Sequence, residues 1–206
     1  MVAARVRGGD TRAQLLAAAV AVIAEDGWAA ATSRVVAGRA GVNNALVHYH
    51  FGSIDALRRA AVWHVVEAEL AGPMAAMLEA GDLLGGIADA VGGLAEEGAA
   101  SPGNRVLAEA LVQSMRDDEI RDGLARALGA LRDLLTSRLI QELQAGRVRR
   151  DADPAALAVI FAALIDGLVL HVFAEPGLDV RSPVAALAGL LRPPGTGADE
   201  MRSDGR

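Results

Sequence analysis

Thr32-Ser33-Arg34-Val35-Val36-Ala37-Gly38-Arg39-Ala40-Gly41-Val42 and, directly after it, Asn43-Asn44-Ala45-Leu46-Val47-His48-Tyr49-His50-Phe51-Gly52-Ser53 decide how this chain is read. Thr32 offers a side-chain oxygen to the orphan N–H groups of a helix start, and Val36, Ala37 and Ala40 then share one face of the helix that follows. Gly41 ends that helix, because glycine takes the left-handed cap conformation without steric cost. Asn43 can cap a further short helix running through Tyr49. Two short helices joined by a glycine turn are a helix-turn-helix.

Upstream, Thr11-x-x-Gln14 has capping-box spacing, and Leu15, Leu16, Ala19, Val22 and Ile23 recur at helical intervals. This first helix should stop near Asp26-Gly27, with Trp28 folding back onto the core. Downstream, Ser53 can cap a fourth helix with Asp55 in its first turn. That helix carries two apolar stripes, one of Leu57, Ala61, His64, Val65 and Ala68, the other of Val62, Trp63, Val66 and Leu70. A helix apolar on both sides is sandwiched, here between the head and whatever follows, and Pro73 should end it.

Further helices are predicted at about 82–97, 103–117, 121–144, 154–174 and 183–192. In 121–144 the series Leu124, Leu128, Leu131, Leu135 and Leu139 keeps helical spacing. The helix at 82–97 contains Gly85, Gly86, Gly92 and Gly93, each costing up to ~1 kcal/mol relative to alanine, so this segment should be among the least stable. Asp153-Pro154 pairs an N-cap with proline at the first helical position, opening a helix apolar almost all round. Pro193-Pro194 halts the order, and 194–206 should be a loose tail.

Composition agrees with an all-α fold. Of the 206 residues 52% are hydrophobic but only 3% aromatic, which favours helices packed through alanine, leucine and valine. Absence of cysteine excludes disulfides, thiolate metal sites and a cysteine nucleophile, and cytoplasm is the expected location. No signal peptide is legible at the N-terminus, and the apolar run at 155–165 is broken by Asp166-Gly167, short of the ~20 residues that cross a bilayer, so no membrane partner is expected. The net charge of -6 conceals a division. Residues 1–60 hold seven Arg against four acids, a balance of +3, whereas the remainder holds thirteen against twenty-two. The basic end is the candidate face for nucleic acid.

The run Thr-x-x-x-x-Ala-x-x-Ala-Gly-Val at 32–42, the triplet Tyr49-His50-Phe51 and the downstream Leu57 together resemble the N-terminal domain of TetR-type transcriptional regulators over about residues 9–69. The resemblance implies a helix-turn-helix DNA-binding domain at 9–69, with the motif at about 32–51, a ligand-binding and dimerisation domain at 70–193, and the tail at 194–206. It makes the chain a three-helix head on a larger helical body, about nine helices in all. Asn43 to His50 would be the recognition helix. Asn44 can pair with an adenine edge, and Ala45 or Leu46 can meet a thymine methyl. Thr32, Ser33 and Arg34 would touch phosphates or nearby bases, while Tyr49 and His50 fix the backbone register. His48 stands where the family often has tyrosine, and Ile54 where lysine commonly meets phosphate; Arg12, Arg39, or Arg5 and Arg7 could supply the missing contact.

The implied partners are double-stranded DNA bearing a palindromic operator, a second copy of the chain, and a small apolar effector that releases the operator. The candidate effector residues are Trp63, His64, Met74, Met77, Gln113, Met115, Phe161 and Asp166, an apolar wall with a few polar anchors set between the fourth helix and the body. The candidate dimer face is Leu157, Ile160, Leu164, Leu168, Leu187 and Leu190. No metal or other cofactor is implied: His48 and His50 point about 200° apart on a helix. No catalytic constellation is visible either, so an enzyme is not expected. The alternative is a ligand-binding or scaffold dimer whose head has lost DNA affinity, motivated by Ile54, His48 and the acidic body.

Overall fold

A computed structural model describes residues 2–97, 101–175 and 177–193. Those residues form nine α-helices and one 3-10 turn, with no strand. In chain order they are α1 Val2–Asp26, the 3-10 turn Trp28–Ala30, α2 Ser33–Ala40, α3 Ala45–Phe51, α4 Ile54–Glu79, α5 Leu83–Glu97, α6 Pro102–Ser114, α7 Asp118–Gln144, α8 Pro154–Ala174 and α9 Arg181–Leu191. The all-helical reading holds. The chain separates into two compact units, Met1–Gly72 with Ala99–Gly123, and Pro73–Gly98 with Leu124–Arg206.

The first unit is built on α1. Leu15, Ala18, Ala19, Val22 and Ile23 line one face of it and pack with Val36 and Ala37 of α2, Val47 of α3, and Leu57, Ala61, Val62 and Val65 of α4. Each of the larger side chains, shut away from water, contributes about 1.5–3 kcal/mol. α6 joins this core through Val106 and Ala110, although it lies far along the chain from residues 9–69. Arg105 of α6 also donates to the carbonyl of Ala24 in the last turns of α1. Gly27 turns the chain out of α1 at φ 83°, and Trp28 packs against the same core as expected.

Three expectations for these helices need correction. Helix α1 begins at Val2, so Thr11 lies inside it and cannot cap it. α4 runs through Pro73 to Glu79: proline removes one helical hydrogen bond, but Met77, buried in the core of the second unit, holds the last turns in place. On the stripe that includes Leu57 and Ala61, His64 and Ala68 are exposed.

The second unit packs α5, α7, α8 and α9 around Ile87, Leu135, Leu139, Phe161, Leu168 and Val184. Gly86 has a packing reason to be glycine. A Cβ there would lie 2.9 Å from the carbonyl oxygen of Met77, so α5 passes the end of α4 at backbone contact. The buried carboxylate of Glu142 on α7 is paired with Arg138 at 3.0 Å and with Arg147, and Arg138 also donates to the Ala80 carbonyl at 2.6 Å. Such a buried charge is tolerated only because cations meet it. Asp153 caps α8 as expected, accepting from the N–H groups of Ala155 and Ala156. Since α8 continues unbroken through Asp166-Gly167, Pro154–Val172 is, among the described residues, long and apolar enough to cross a membrane by length and composition, contrary to the reading of 155–165. Its Ala158, Phe161, Ala162, Leu168 and Val172 belong to the apolar core of the unit. The tail at 194–206 lies outside the described residues.

Within the first unit α4 is fastened to the start of α7. The Trp63 ring lies so close to Gly123 that a Cβ there would fall 2.1 Å from the ring. Gly123→Ala should therefore destabilise the protein by about 1–3 kcal/mol, the usual cost of forcing extra volume into a packed site. Urea denaturation checks this, and an unchanged midpoint would mean that the ring does not rest on Gly123.

Candidate nucleic-acid interface

Thr32 adopts the extended backbone of an N-cap, and its hydroxyl oxygen accepts from the N–H of Val35 at 3.3 Å. At the other end of α2, Gly41 takes φ 67°, the Gly41 N–H donates to the Gly38 carbonyl and the Val42 N–H to that of Ala37. This double closure is a Schellman turn, and it fixes how the chain leaves α2 for α3. Asn43 then accepts from the N–H of Ala45 at 2.8 Å, organising the first turn of α3.

Val47 is fully buried, which determines the rotation of α3 about its own axis. Successive residues turn by about 100°, so with Val47 inward the residues two positions to either side point away. Asn43, Asn44, Ala45, His48 and Tyr49 are exposed, Tyr49 at 80%, while Leu46 and His50 are half-buried. Tyr49 and His50 meet edge to face, ring centroids 4.9 Å apart. His48 engages the Gly52 carbonyl through Nδ1 at 3.1 Å, which ties its ring to the end of α3. From α2, Thr32 and Arg34 are exposed and Ser33 is half-buried. All ten predicted DNA contacts thus lie on α2, on α3 or in the turns that open them, and seven of them are exposed.

The arginines of residues 10–60 divide sharply. Arg39 forks onto both carboxylate oxygens of Glu25, which holds that carboxyl below its usual range. Arg58 donates to the Ala31 carbonyl and to Asp55, both at 2.9 Å, and lies over the Trp28 ring. Arg59 pairs with Asp117 and Glu119, each at 2.8 Å. Ile54, in the position that resembles a phosphate-binding lysine, packs against the apolar core of the unit. Among the described residues, Arg12 and Arg34 are the arginines of this stretch with no carboxylate partner. The side chains of Arg5 and Arg7 lie outside those described.

The eight residues predicted to meet an effector fall four in each unit. In the first, Trp63 rests on Gly123, Gln113 is half-buried, Met115 is 75% exposed, and His64 borders a groove of about 400 Å³ with Ala17, Val20, Ala21, Ala24 and Arg105. That groove had no counterpart in the sequence reading, because it depends on α6 returning to α1. In the second, Met77 and Phe161 are buried in the core and Met74 is half-buried. Asp166 is exposed as a residue, yet desolvation of its carboxyl raises its pKa. Of the predicted dimer residues, Ile160 and Leu190 are 51% and 72% exposed, Leu157, Leu164 and Leu187 are half-buried, and Leu168 is buried inside its own protomer.

Comparison with known proteins fits this geometry. Residues 15–61 match the family described as bacterial regulatory proteins, tetR family, and residues 89–202 match the C-terminal domain of BetI-type transcriptional repressors. The chain belongs to the TetR family of transcriptional regulators. No curated protein matches it. Among solved structures, a transcriptional regulator from Streptomyces coelicolor A3(2) is 26% identical, covering 87% of this chain and 96% of its own, with a TM-score of 0.70. A regulator from Saccharomonospora viridis in complex with choline is 23% identical, covering 88% and 94%, with a TM-score of 0.71. The multidrug binding protein EbrR, complexed with imidazole, is 23% identical, covering 91% and 93%, also at 0.71.

The Arg59 pair that removes a cation from the basic face also makes stability depend on pH. Burial alone would raise the pKa of Asp117, but donation from Arg59 and from the backbone N–H groups of Ile120 and Glu119 outweighs it and lowers the net value. A carboxyl with a depressed folded pKa stabilises the fold above its unfolded pKa, about 3.9, and loses that contribution as pH falls through the folded value. Acid titration of the melting temperature should therefore steepen below about pH 4. Asp117→Asn should lower the melting temperature at pH 7 and flatten that acid limb; a parallel curve would exclude the pair as a source of stability.

Proposed function

We propose that this regulator is a cytoplasmic repressor that binds a palindromic operator as a homodimer and is released by a small, largely apolar effector. The observation that carries the DNA-binding part is the exposed set Ala45, His48 and Tyr49 on α3, with Asn43 and Asn44 in the turn that opens it, around the buried Val47. A short helix anchored from behind and polar in front is suited to the major groove, with Asn44 able to pair with adenine N6 and N7. Thr32, Ser33 and Arg34 supply phosphate contacts from the start of α2.

Dimerisation is supported by α8 and α9, which leave Val159, Ile160, Leu170 and Leu190 exposed. Apolar side chains so concentrated on two helices mark an interaction face. Two partners then set the two recognition helices about 34–36 Å apart, one DNA turn, and an effector that favours another spacing weakens operator binding. The effector reading draws support from the fold relatives that hold choline and imidazole. Within the second unit the glycine-rich α5, packed beside Met77 and Phe161, is the wall with least intrinsic helix propensity and the natural place for a ligand to enter.

One observation favours the alternative of a scaffold or ligand-binding dimer with a weakened head. Among the described side chains of the head, Arg39, Arg58 and Arg59 are all paired with carboxylates and Ile54 packs against the core, so of the arginines described there only Arg12 and Arg34 are without a carboxylate partner to compete with phosphate. An electrophoretic shift with the DNA upstream of the chain's own coding region separates the readings.

Two expected outcomes test the proposal. Asn44→Ala should remove about 1–3 kcal/mol of discrimination at one base pair, whereas Arg34→Ala should weaken specific and non-specific DNA alike. Binding by both variants indistinguishable from the parent protein would move recognition off α2 and α3. For the dimer, Ile160→Glu places a charge on an exposed position, so the protomer folds while a buried interface loses several kcal/mol from the unpaired charge. Sedimentation should then show monomers with little operator affinity, and a fully dimeric variant would put the interface elsewhere.

A further inference from the structure

We propose that Arg12 of α1 is a phosphate-positioning residue, seated for that role on the ring of Phe51 at the C-terminal end of α3. The inference rests on the DNA-binding reading above and goes beyond it by assigning one contact and the device that holds it. The Arg12 guanidinium carbon lies 4.9 Å from the Phe51 ring centroid, within the range of a cation–π contact. Phe51 is the last residue of α3, half-buried and packed against the apolar core of the first unit, so the ring is a fixed platform. Arg12 itself is exposed and has no carboxylate partner.

The contrast with its neighbours is what points to a ligand. Arg39 is committed to Glu25, Arg58 to Asp55 and two backbone carbonyls, and Arg59 to Asp117 and Glu119. In each case a carboxylate takes up the charge. Arg12 is instead held by an aromatic face, which restrains the guanidinium without neutralising it or occupying its N–H donors. A restrained, uncompensated guanidinium at the end of the helix proposed to enter the groove suits a phosphodiester oxygen. A cation there also complements the partial negative charge of the α3 C-terminus, which helps to keep the ring and guanidinium together.

The test is a salt titration of binding to a duplex of arbitrary sequence long enough for both protomers, because a phosphate contact is independent of sequence. The parent protein, Arg12→Gln, Phe51→Leu and the double variant are compared, each first checked for an unchanged melting transition. Arg12→Gln should make the slope of log affinity against log salt shallower by about 1.8, two lost contacts per dimer. Phe51→Leu, which keeps apolar volume but removes the π face, should weaken binding several-fold. In the Arg12→Gln background the same change should cost nothing further, since its effect runs through Arg12. An unchanged slope in Arg12→Gln overturns the phosphate contact, and additive losses in the double variant overturn the seat. If the parent protein bound no duplex at all, the regulator reading itself would fall; binding by the parent with an unaltered Arg12→Gln slope removes this proposal alone.

Discussion

Burial of Val47 is the constraint on which the proposed recognition surface depends. α3 has seven residues, too few to be stable as an isolated helix, so its existence and its rotation are both set by what it packs against. One side chain with no exposed surface, set into a core made by α1, α2 and α4, fixes the outward direction for the rest. The Schellman closure at Gly41 acts on the same problem from the other side by fixing how the chain arrives. Both devices lie behind the proposed DNA contacts and set which residues face outward.

The parts of this arrangement that were legible in advance are the local ones. Thr32, Gly41, Asn43, Ser53 and Asp153 act where a cap or turn was expected, because capping is decided by a few neighbouring residues and their hydrogen-bonding groups. What was hidden is tertiary. That α6 packs on α1 follows from no periodicity in either segment, and the groove between them was equally invisible. Trp63 was read with the effector residues as part of an apolar wall, whereas its contact with Gly123 couples positions sixty residues apart. Pro73 shows the opposite failure, where a strong local rule was outweighed by the burial of Met77 one turn later.

Charge follows the same division. A balance of +3 over residues 1–60 is a correct sum, but it does not say which cations can act. Bidentate pairing with Glu25 makes Arg39 a bracket between α1 and α2, and Arg58 a staple from α4 to the turn that precedes α2. Arginine suits such work because its planar fork satisfies several acceptors at once. Among its described side chains the basic head thus holds Arg39, Arg58 and Arg59 in a framework of ion pairs, and the charge of Arg12 and Arg34, which no carboxylate meets, is what a phosphate backbone would find.

Helix α8 shows how one sequence pattern supports different fates until burial is known. Its mean hydropathy of 2.3 over Pro154–Val172 is that of a membrane span, yet the helix has a carboxylate in its middle and a distinct inner stripe. At about 100° per residue Ala158, Phe161, Ala162, Leu168 and Val172 fall on one face of the helix and bury in their own unit, so the surplus lies on the other side, with Val159, Ile160 and Leu170. A lipid-facing helix would have no need of such an inner stripe opposite a second apolar one unless protein covered the first. A proposed twofold partner accounts for the second stripe with the same kind of packing as the first. It also explains why Leu168, the most buried of the predicted interface leucines, belongs to the protomer core, while Ile160 and Leu190, whose surfaces remain open, are where a partner would gain most by covering them.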